Sequence, residues 1–543
     1  MGLHPIGLPQ TSNSANSSIV TPIPVLDAAQ AATWDEHARV AANIPSRVLM
    51  EAAGRTVAHV IARHYGPVIG RGVLIVAGHG NNGGDGWVVA RALRAAGVTV
   101  WATDENRSRS DDCEANRTLA LAEGVQYLTT DEGWPPVGVV VDAILGTGAS
   151  GPPRGSIGQM ADKLANLGTP IVAVDGPTGL DLSTGEAHGP IKADVTVTFG
   201  GARRGHLLQR SWCGRVVVTE IGFPPPFPEW PELVDDRWAG VMLPPFAADM
   251  HKGSRGRVLV VGGDRGMAGA AIHAATTALA SGAGLAKIAA HEVTVQAAQE
   301  LLPDALTVTT ALEPEIEPEL VAAIEWADAV VLGPGLGRGE SRTALIHAVL
   351  QRTTKPVVID ADALHAGLDV LLTGNSPRVL TPHPGEFAAA FPNLADEVKT
   401  DRFAAATAAA DIAASSSPSP PVPPFPPSPT ILLKGVPTVI AQSGSAPRVV
   451  ASGNPALATG GSGDLLSGFI GSFLAQGLSP LDAAALGAHV LGRAAEIASE
   501  GDAVRSTRPA DVTRALPQLW GVLANPPAAN PPILLELEPP ALV

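Results

Sequence analysis

The chain is expected to fold as an α/β protein in two domains, each built on a mostly parallel, doubly wound sheet. Three observations give that expectation. Short apolar runs alternate with segments at helical spacing along almost the whole sequence. The length, 543 residues, exceeds what one core holds, since domains run to roughly 100–200 residues. The alternation stops at one proline-rich stretch, Phe223 to Glu232 (FPPPFPEWPE), and restarts beyond it.

In the first half, Val73–Ala77 reads as a buried strand ending at Gly78. Trp87, Val88, Val89, Ala92, Leu93 and Ala96 then recur at helical spacing, and Gly97 stops that helix. Val98–Ala102, Val137–Leu145, Ile171–Val174, Val195–Phe199 and Val216–Ile221 read as further strands. In the second half, Arg257–Val261 follows the polar run His251–Gly256. Ala329–Leu332, Pro356–Ile359, Val379–Leu380 and Ile431–Leu433 continue the series, and the boundary is placed within 223–245. Ser415 to Pro429 holds eight prolines in fifteen residues, which excludes helix and central strand and reads as an extended surface loop.

Composition narrows the function classes. Hydrophobic residues make up 45% and charged residues 16%, so the chain is globular; aromatics are only 4%, which suits close packing through small residues. A net charge of −16 argues against a broad basic surface for nucleic acid. It does not argue against phosphate binding through backbone N–H groups. The two cysteines, Cys113 and Cys213, lie outside any CxxC frame, so free thiols in a reducing cytoplasm are expected. No segment approaches the roughly 18 uninterrupted apolar residues of a membrane span. The start of the chain lacks the charged and apolar blocks of a secretory signal and reads as a loose tail.

The clearest chemical mark is Asn454 to Asp464, NPALATGGSGD, just ahead of Leu465, Leu466, Phe469, Ile470, Phe473 and Leu474 at helical spacing. Glycines before a helix let N–H groups converge on a phosphate, and the helix dipole adds partial positive charge. Asp464 would then stand beside the anion as a base for a substrate hydroxyl. Alone, the run reads equally well as a helix start capped by Asp464. Its companions are Lys434-Gly435-Val436-Pro437-Thr438, Gly333 to Gly337, and Thr381 to Glu386 with His383; each follows a strand, where open sheets collect ligands.

The first half carries a second glycine run, Gly78 to Gly86 (GHGNNGGDG), between a strand and a helix. It is not the ordinary GxGxxG fingerprint, because Asn81, Asn82 and Asp85 add polar groups. Asp142 and Asp175 sit at strand ends, each followed by a glycine-bearing loop. Buried carboxylates are costly unless paired or bound to a cation, so two at neighbouring strand ends suggest a site.

The second half resembles the ADP-dependent NAD(P)H-hydrate dehydratase family, within the ribokinase-like fold. The similar segments are HKGSRGRVLVVGG (251–263), MAGAA (267–271), GAGLAKIA (282–289), LGPGLG (332–337), VIDADAL (358–364), TPHPGEF (381–387), LLKGVPTVIA (432–441) and NPALATGGSGDLLSG (454–468). The first half, from about Leu26 to Gly222 and including LMEAAG (49–54), resembles NAD(P)H-hydrate epimerase domains. The resemblance implies a loose tail over 1–23, an epimerase domain over 24–235, a dehydratase domain over 245–525 with a 415–429 insertion, and a tail over 526–543.

It also implies the site residues. In the dehydratase half, Ala270, Gly335, His383 and Asp464 would contact substrate, with Asp464 catalytic, and Lys434, Gly435, Val436, Pro437, Thr438 and Gly463 would contact the nucleotide. In the epimerase half, Asn81, Asn82, Gly83, Gly84, Asp85, Gly146, Thr147, Gly148, Ala149, Ser150, Gly151, Pro152 and Asp175 would contact substrate. Asp175 would be the acid–base residue there. Asn82, Asp142 and Thr178 would hold K+, an all-oxygen set suited to a hard cation. Where such domains usually read VDIPSG, this chain reads VDGPTG: Thr178 keeps the hydroxyl, and Gly176 is expected to loosen the strand end. The implied substrates are NADHX and NADPHX, with ADP as co-substrate and Mg2+ accompanying it; nucleic acid and membranes are not expected partners, and a homo-oligomer is. Two other readings stand beside this one. A ribokinase-like small-molecule kinase fused to a nucleotide-binding domain would use the same GSGD corner. A non-catalytic nucleotide-sensing scaffold would use the proline loop to recruit a partner.

Overall fold

The computed structural model describes residues 21–105, 107–129, 133–416, 428–500, 504–526 and 530–539. Two sheets organise them. The first has the order Ile533–Leu537, Arg215–Thr219, Val195–Phe199, Ile171–Val174, Val139–Ala143, Val73–Ala77, Val100–Asp104, Gln126–Tyr127. Every pairing in it is parallel except that of Ile533–Leu537 with Arg215–Thr219. Its central strands are buried on both faces, as their unbroken Val, Ile and Ala runs require.

The second sheet runs Leu306–Thr309, Leu285–Ala290, Arg257–Val261, Ala329–Leu332, Val357–Ile359, Arg378–Leu380, Thr430–Leu433, Thr438–Gln442, Arg448–Val450. It then continues into Glu232–Leu233, Ile23–Leu26 and Ala202–Arg203. The parallel strands from Leu306–Thr309 to Thr430–Leu433 are followed by two antiparallel steps. The α/β class and the doubly wound arrangement expected from the alternation are both present.

Several boundaries differ from the sequence reading. The strand expected over Val98–Ala102 is Val100–Asp104, because the helix before it closes through a turn in which Val98 N donates to Leu93 O. The helix expected from Trp87 starts at Asn81, so the residues NNGGDG are helical rather than a loop ahead of the helix. Contact explains this better than flexibility. A Cβ on Gly83 would lie 2.0 Å from Gly78 O, and one on Gly86 would lie 2.6 Å from Ala143 Cβ. The glycines let the helix lie directly on the sheet.

Close packing through small residues recurs in the second half. The helices Ala268–Ala280 and Ser462–Ala475 meet where a Cβ on Gly468 would stand 2.1 Å from Ala274 O and from Thr277 Oγ1. Thr277 Oγ1 donates to Leu465 O across that contact at 2.9 Å. The scarcity of aromatics is thus matched by helix contacts built from Gly, Ala and Thr.

The two halves are joined at several places. Ile23–Leu26, from the start of the chain, pairs antiparallel with Glu232–Leu233 and parallel with Ala202–Arg203, while Glu232–Leu233 pairs with Arg448–Val450. The proline-rich stretch is packed rather than loose: Phe223 stacks on Trp34 at 4.5 Å between ring centroids, and Trp230 meets the same ring edge-on at 5.8 Å. Asp236 takes paired bonds from Arg493 at 3.0 Å each and a third from His489 at 2.8 Å. Arg204 reaches Asp401 at 3.3 Å and lies over the Phe403 ring. Segment 526–543, read as a tail, supplies Ile533–Leu537 to the edge of the first sheet, more than 300 residues from its partner in sequence. Of the expected 1–23 tail, residues 1–20 lie outside the described residues, and Ile23 opens a strand. The 415–429 loop lies mostly outside them too; Ser415 and Ser416 end the helix Arg402–Ser416.

Candidate active sites

The first site forms at the carboxyl ends of Val73–Ala77, Val139–Ala143 and Ile171–Val174. Gly78 follows the first of these, and no side chain caps the helix that starts at Asn81. Asn82 points inward; both its amide atoms are buried with no hydrogen-bond partner among the described residues. Buried amides are nearly always satisfied, so this one marks a missing partner. Asp142 is fully buried and accepts Thr178 N at 2.7 Å, Thr178 Oγ1 at 2.8 Å and Ile144 N at 3.2 Å. Burial pushes its carboxyl up to about 6 against those bonds. Only hydrogen bonds, and no cationic side chain among the described residues, offset that burial.

Asp175 follows the third strand with φ +65°, a left-handed conformation that non-glycine residues seldom adopt. Its Oδ2 accepts Thr147 N at 2.7 Å and Thr147 Oγ1 at 2.5 Å, and Arg203 lies 3.5 Å from Oδ1. Burial alone would raise this carboxyl. The Arg203 guanidinium and the Thr147 bonds outweigh burial and hold it below the usual carboxylate range. Burial lowers His206 to about 4; the neutral ring donates from Nε2 to Asp175 O and accepts Arg203 N at Nδ1. Asp85 goes the other way, its carboxyl driven well above normal by burial and by the charges of Asp175 and Asp35. Two carboxyls with opposed tendencies at one site divide naturally into an acid and a base.

Gly146 shows how tight the centre is. A Cβ there would lie 2.8 Å from Asp175 Oδ2 and 3.2 Å from Asn82 Cγ. The structure therefore gathers Asn82, Gly146, Thr147 and Asp175, with Asp142 and Thr178 linked through the bond from Leu145 N to Thr178 Oγ1 at 3.0 Å. Gly83 and Gly84 act through packing, Gly84 beneath Met50. Asn81 is exposed and accepts from Ser110. Gly148 and Ala149 form a turn closed by Ala149 N on Gly146 O, while Ser150, Gly151 and Pro152 line a neighbouring cavity. Gly176 does not loosen the strand end: the buried Leu182 side chain fills the space where a Cβ would stand, at 2.6 Å. Arg203 and His206 were missed from sequence, because nothing local in GARRGHLL shows which carboxylate they face.

The second site is assembled the same way. Asp360, Thr381 and Lys434 each follow one of three adjacent parallel strands, Val357–Ile359, Arg378–Leu380 and Thr430–Leu433. Asp360 is 1% exposed and binds Thr381 Oγ1 at 2.6 Å, Lys434 Nζ at 2.6 Å and Ser467 Oγ at 2.5 Å. Burial opposes its charge, but Lys434 and these bonds hold its carboxyl below the ordinary value. Facing it, Gly461 (φ +98°) turns the chain into the helix Ser462–Ala475, so GSGD also enters the first helical turn. A Cβ on Gly463 would lie 3.3 Å from Lys434 Nζ. Asp464 is raised to about 7, first by burial, then by the charges of Asp360 and Asp362, with Lys434 opposing.

Around this centre, Gly335 (φ +60°) backs onto Ala270, whose Cβ would be 3.1 Å from a Cβ at Gly335. His383 caps the helix Pro384–Ala390 through Nδ1, which accepts Gly385 N at 3.0 Å and Glu386 N at 3.3 Å, and keeps its ring more than half exposed. Arg402 pins the 434–438 turn from below, donating to Lys434 O and Val436 O at 2.9 Å each, and Thr438 Oγ1 closes the turn on Gly435 O. Asp360 and Arg402 were not singled out from sequence. Asp360 lies inside the VIDADAL segment, but its partners stand 21, 74 and 107 residues away.

A glycine-bearing helix start beside a lysine and a carboxylate of raised pKa has the make-up of a phosphoryl-handling α/β enzyme, and the companion sheet adds a separate site of buried carboxyls around an unpartnered amide. The family model described as NAD(P)H-hydrate dehydratase matches residues 258–518, and that described as YjeF-related protein N-terminus matches residues 46–205. The chain is 36% identical over 521 residues to the bifunctional NAD(P)H-hydrate repair enzyme Nnr of Moorella thermoacetica, covering 91% of this chain and 96% of that one. It is 35% identical to the Escherichia coli protein of the same name over 78% of this chain and 80% of that one. Among solved structures, the ADP/ATP-dependent NAD(P)H-hydrate dehydratase from Bacillus subtilis, co-crystallized with ATP/Mg2+, is 28% identical, covers 53% of this chain and 97% of its own, and has a TM-score of 0.46. This chain belongs to the bifunctional NAD(P)H-hydrate repair enzyme family. No helix among the described residues is long and apolar enough to cross a membrane.

Proposed function

We propose that the first half interconverts the C6 epimers of NADHX and NADPHX, and that the second half dehydrates the S epimer to NADH or NADPH while ADP becomes AMP and phosphate. The Asp360–Lys434–Ser467 cluster behind Asp464 carries the second assignment, because it holds a base and a cation on one phosphate-receptive helix start. Hydroxide is a poor leaving group. Asp464 takes the proton of the ring hydroxyl as its oxygen attacks the terminal phosphorus of ADP, and AMP departs. Lys434 offsets charge on the moving phosphoryl group. The ring-nitrogen lone pair then expels phosphate, and loss of the C5 proton restores the reduced nicotinamide. Mg2+ would enter with the nucleotide phosphates; among the described residues no group of three His, Cys, Asp or Glu is placed to hold a metal.

In the first half, Asp175 and Asp85 serve as base and acid around the hydrate ring. Asn82, Asp142 and Thr178 would hold K+, whose charge would compensate the buried Asp142 carboxylate and order the strand ends. The orphaned Asn82 amide and the unrelieved Asp142 carboxyl support that fit. The two free, buried thiols, Cys113 and Cys213, support a cytoplasmic setting. The test is direct. Mixed epimers of NADHX with ADP, Mg2+ and K+ should return the full reduced-nicotinamide absorbance, beyond the share present as the S epimer. No return with ADP or ATP rejects the dehydratase reading and favours a kinase or a sensor.

The pH profile follows from Asp464. Its carboxyl must be ionised to act as base, so kcat for dehydration should rise with pH through about 7 and level off above. Burial raises Asp464 first and the Asp360 charge second; Asp360→Asn removes the second, so the limb should move part of the way to lower pH while kcat falls as Lys434 loses its anchor. A limb that stays in place in Asp360→Asn argues that another group titrates.

A further inference from the structure

Glu105 directly follows the strand Val100–Asp104, beside Val73–Ala77 in the first sheet. In doubly wound sheets that bind dinucleotides, the end of this second strand reads the ribose: a carboxylate takes the 2′-hydroxyl, or an arginine nearby takes a 2′-phosphate. Here the carboxylate is already engaged. Glu105 is 3% exposed, and it accepts Ser156 Oγ at 2.5 Å and His79 Nδ1 at 3.1 Å, with Arg107 Nε at 3.4 Å. Its oxygens hold the walls of the site instead of presenting themselves to a diol.

Those walls border an open cleft of about 460 Å3, lined also by Ser150, Gly151 and Pro152 of the substrate loop and by Arg107 and Arg154. The volume lies within the range of small-molecule sites. The Arg107 side chain is 65% exposed, and Arg154 is exposed with no ion pair among the described residues. Arg107 shares its charge with Glu105 but keeps most of its side chain in solvent, and Arg154 adds a second, unshared guanidinium, so the rim leaves a place for an anion rather than for a neutral sugar.

We propose that this cleft receives the adenosine ribose of the hydrate and that Arg107 and Arg154 select its 2′-phosphorylated form, so that the first half epimerises NADPHX in preference to NADHX. The proposal rests on the epimerase reading above. The preference is electrostatic, so it should weaken as salt rises.

The experiment compares the full-length protein with the Arg107→Ala/Arg154→Ala double variant. The epimers of each hydrate are separated chromatographically, and kcat/KM for epimerisation is obtained at low and high ionic strength. The expected result is a fall of about tenfold in the NADPHX-to-NADHX ratio of kcat/KM, carried by KM for NADPHX, together with loss of that preference in the unsubstituted protein at high salt. An unchanged ratio, or equal losses on both hydrates, overturns the subsite. If the unsubstituted protein epimerises neither hydrate, the epimerase reading itself fails and the subsite falls with it.

Discussion

Asp464→Asn should lower kcat for dehydration by about 10³-fold and leave epimerisation within about twofold. The size follows from the role: general-base catalysis contributes roughly 10²–10⁴-fold, and asparagine offers no basic atom at neutral pH. The shape hardly changes. Asp464 lies in the first turn of the helix Ser462–Ala475, where an amide of the same outline replaces a carboxyl that burial, Asp360 and Asp362 already push toward neutrality. Removing that charge relieves repulsion with Asp360, so thermal stability should hold or rise slightly. The measurement is dehydration of purified S epimer with ADP, alongside epimerisation read by chromatography. Parallel loss of both activities in a folded variant would contradict two separate catalytic centres. Retention of normal dehydration would make Asp464 a helix-start residue, the alternative that the glycine run alone leaves open.

The strands near the centre of each sheet were legible because both their faces are buried, which writes an unbroken apolar run such as Val73–Ala77 or Ala329–Leu332. The glycine runs were legible as marks but not as conformations. NNGGDG and GSGD look like loops, yet both enter helices, because their glycines answer to a neighbouring backbone or side chain that sequence does not display. The side chains behind the chemistry were hidden for a related reason. Asp360 meets Ser467 across 107 residues, and Arg203 meets Asp175 across 28. Such pairs exist only once strand order is known. The edge strand Ile533–Leu537 was hidden most deeply: it is short, lies beyond the helix Pro509–Ala524, and pairs with a strand of the other half.

The Asp175→Asn variant tests the first site and separates anchoring from catalysis. Asparagine tolerates the left-handed backbone at φ +65°, so main-chain strain does not confound the change. Its side-chain oxygen still accepts Thr147 N. What is lost is the negative charge beside Arg203, whose guanidinium is buried against Phe199 O and Gly201 O. A buried cation stripped of its partner costs about 3–5 kcal/mol, so the thermal midpoint of the first half should drop by about 5–15 °C. Epimerisation should fall by about 10²-fold at a temperature where the variant remains folded, while dehydration of purified S epimer continues near its normal rate. A structural anchor alone would lower the melting temperature and leave the rate of the folded variant intact. A base would lower the rate at every temperature and flatten the acidic limb of the epimerisation profile, because its ionisation is what that limb reports. Full epimerisation in folded Asp175→Asn would therefore strip Asp175 of the proton-transfer role and leave it as the clamp on Thr147 and Arg203.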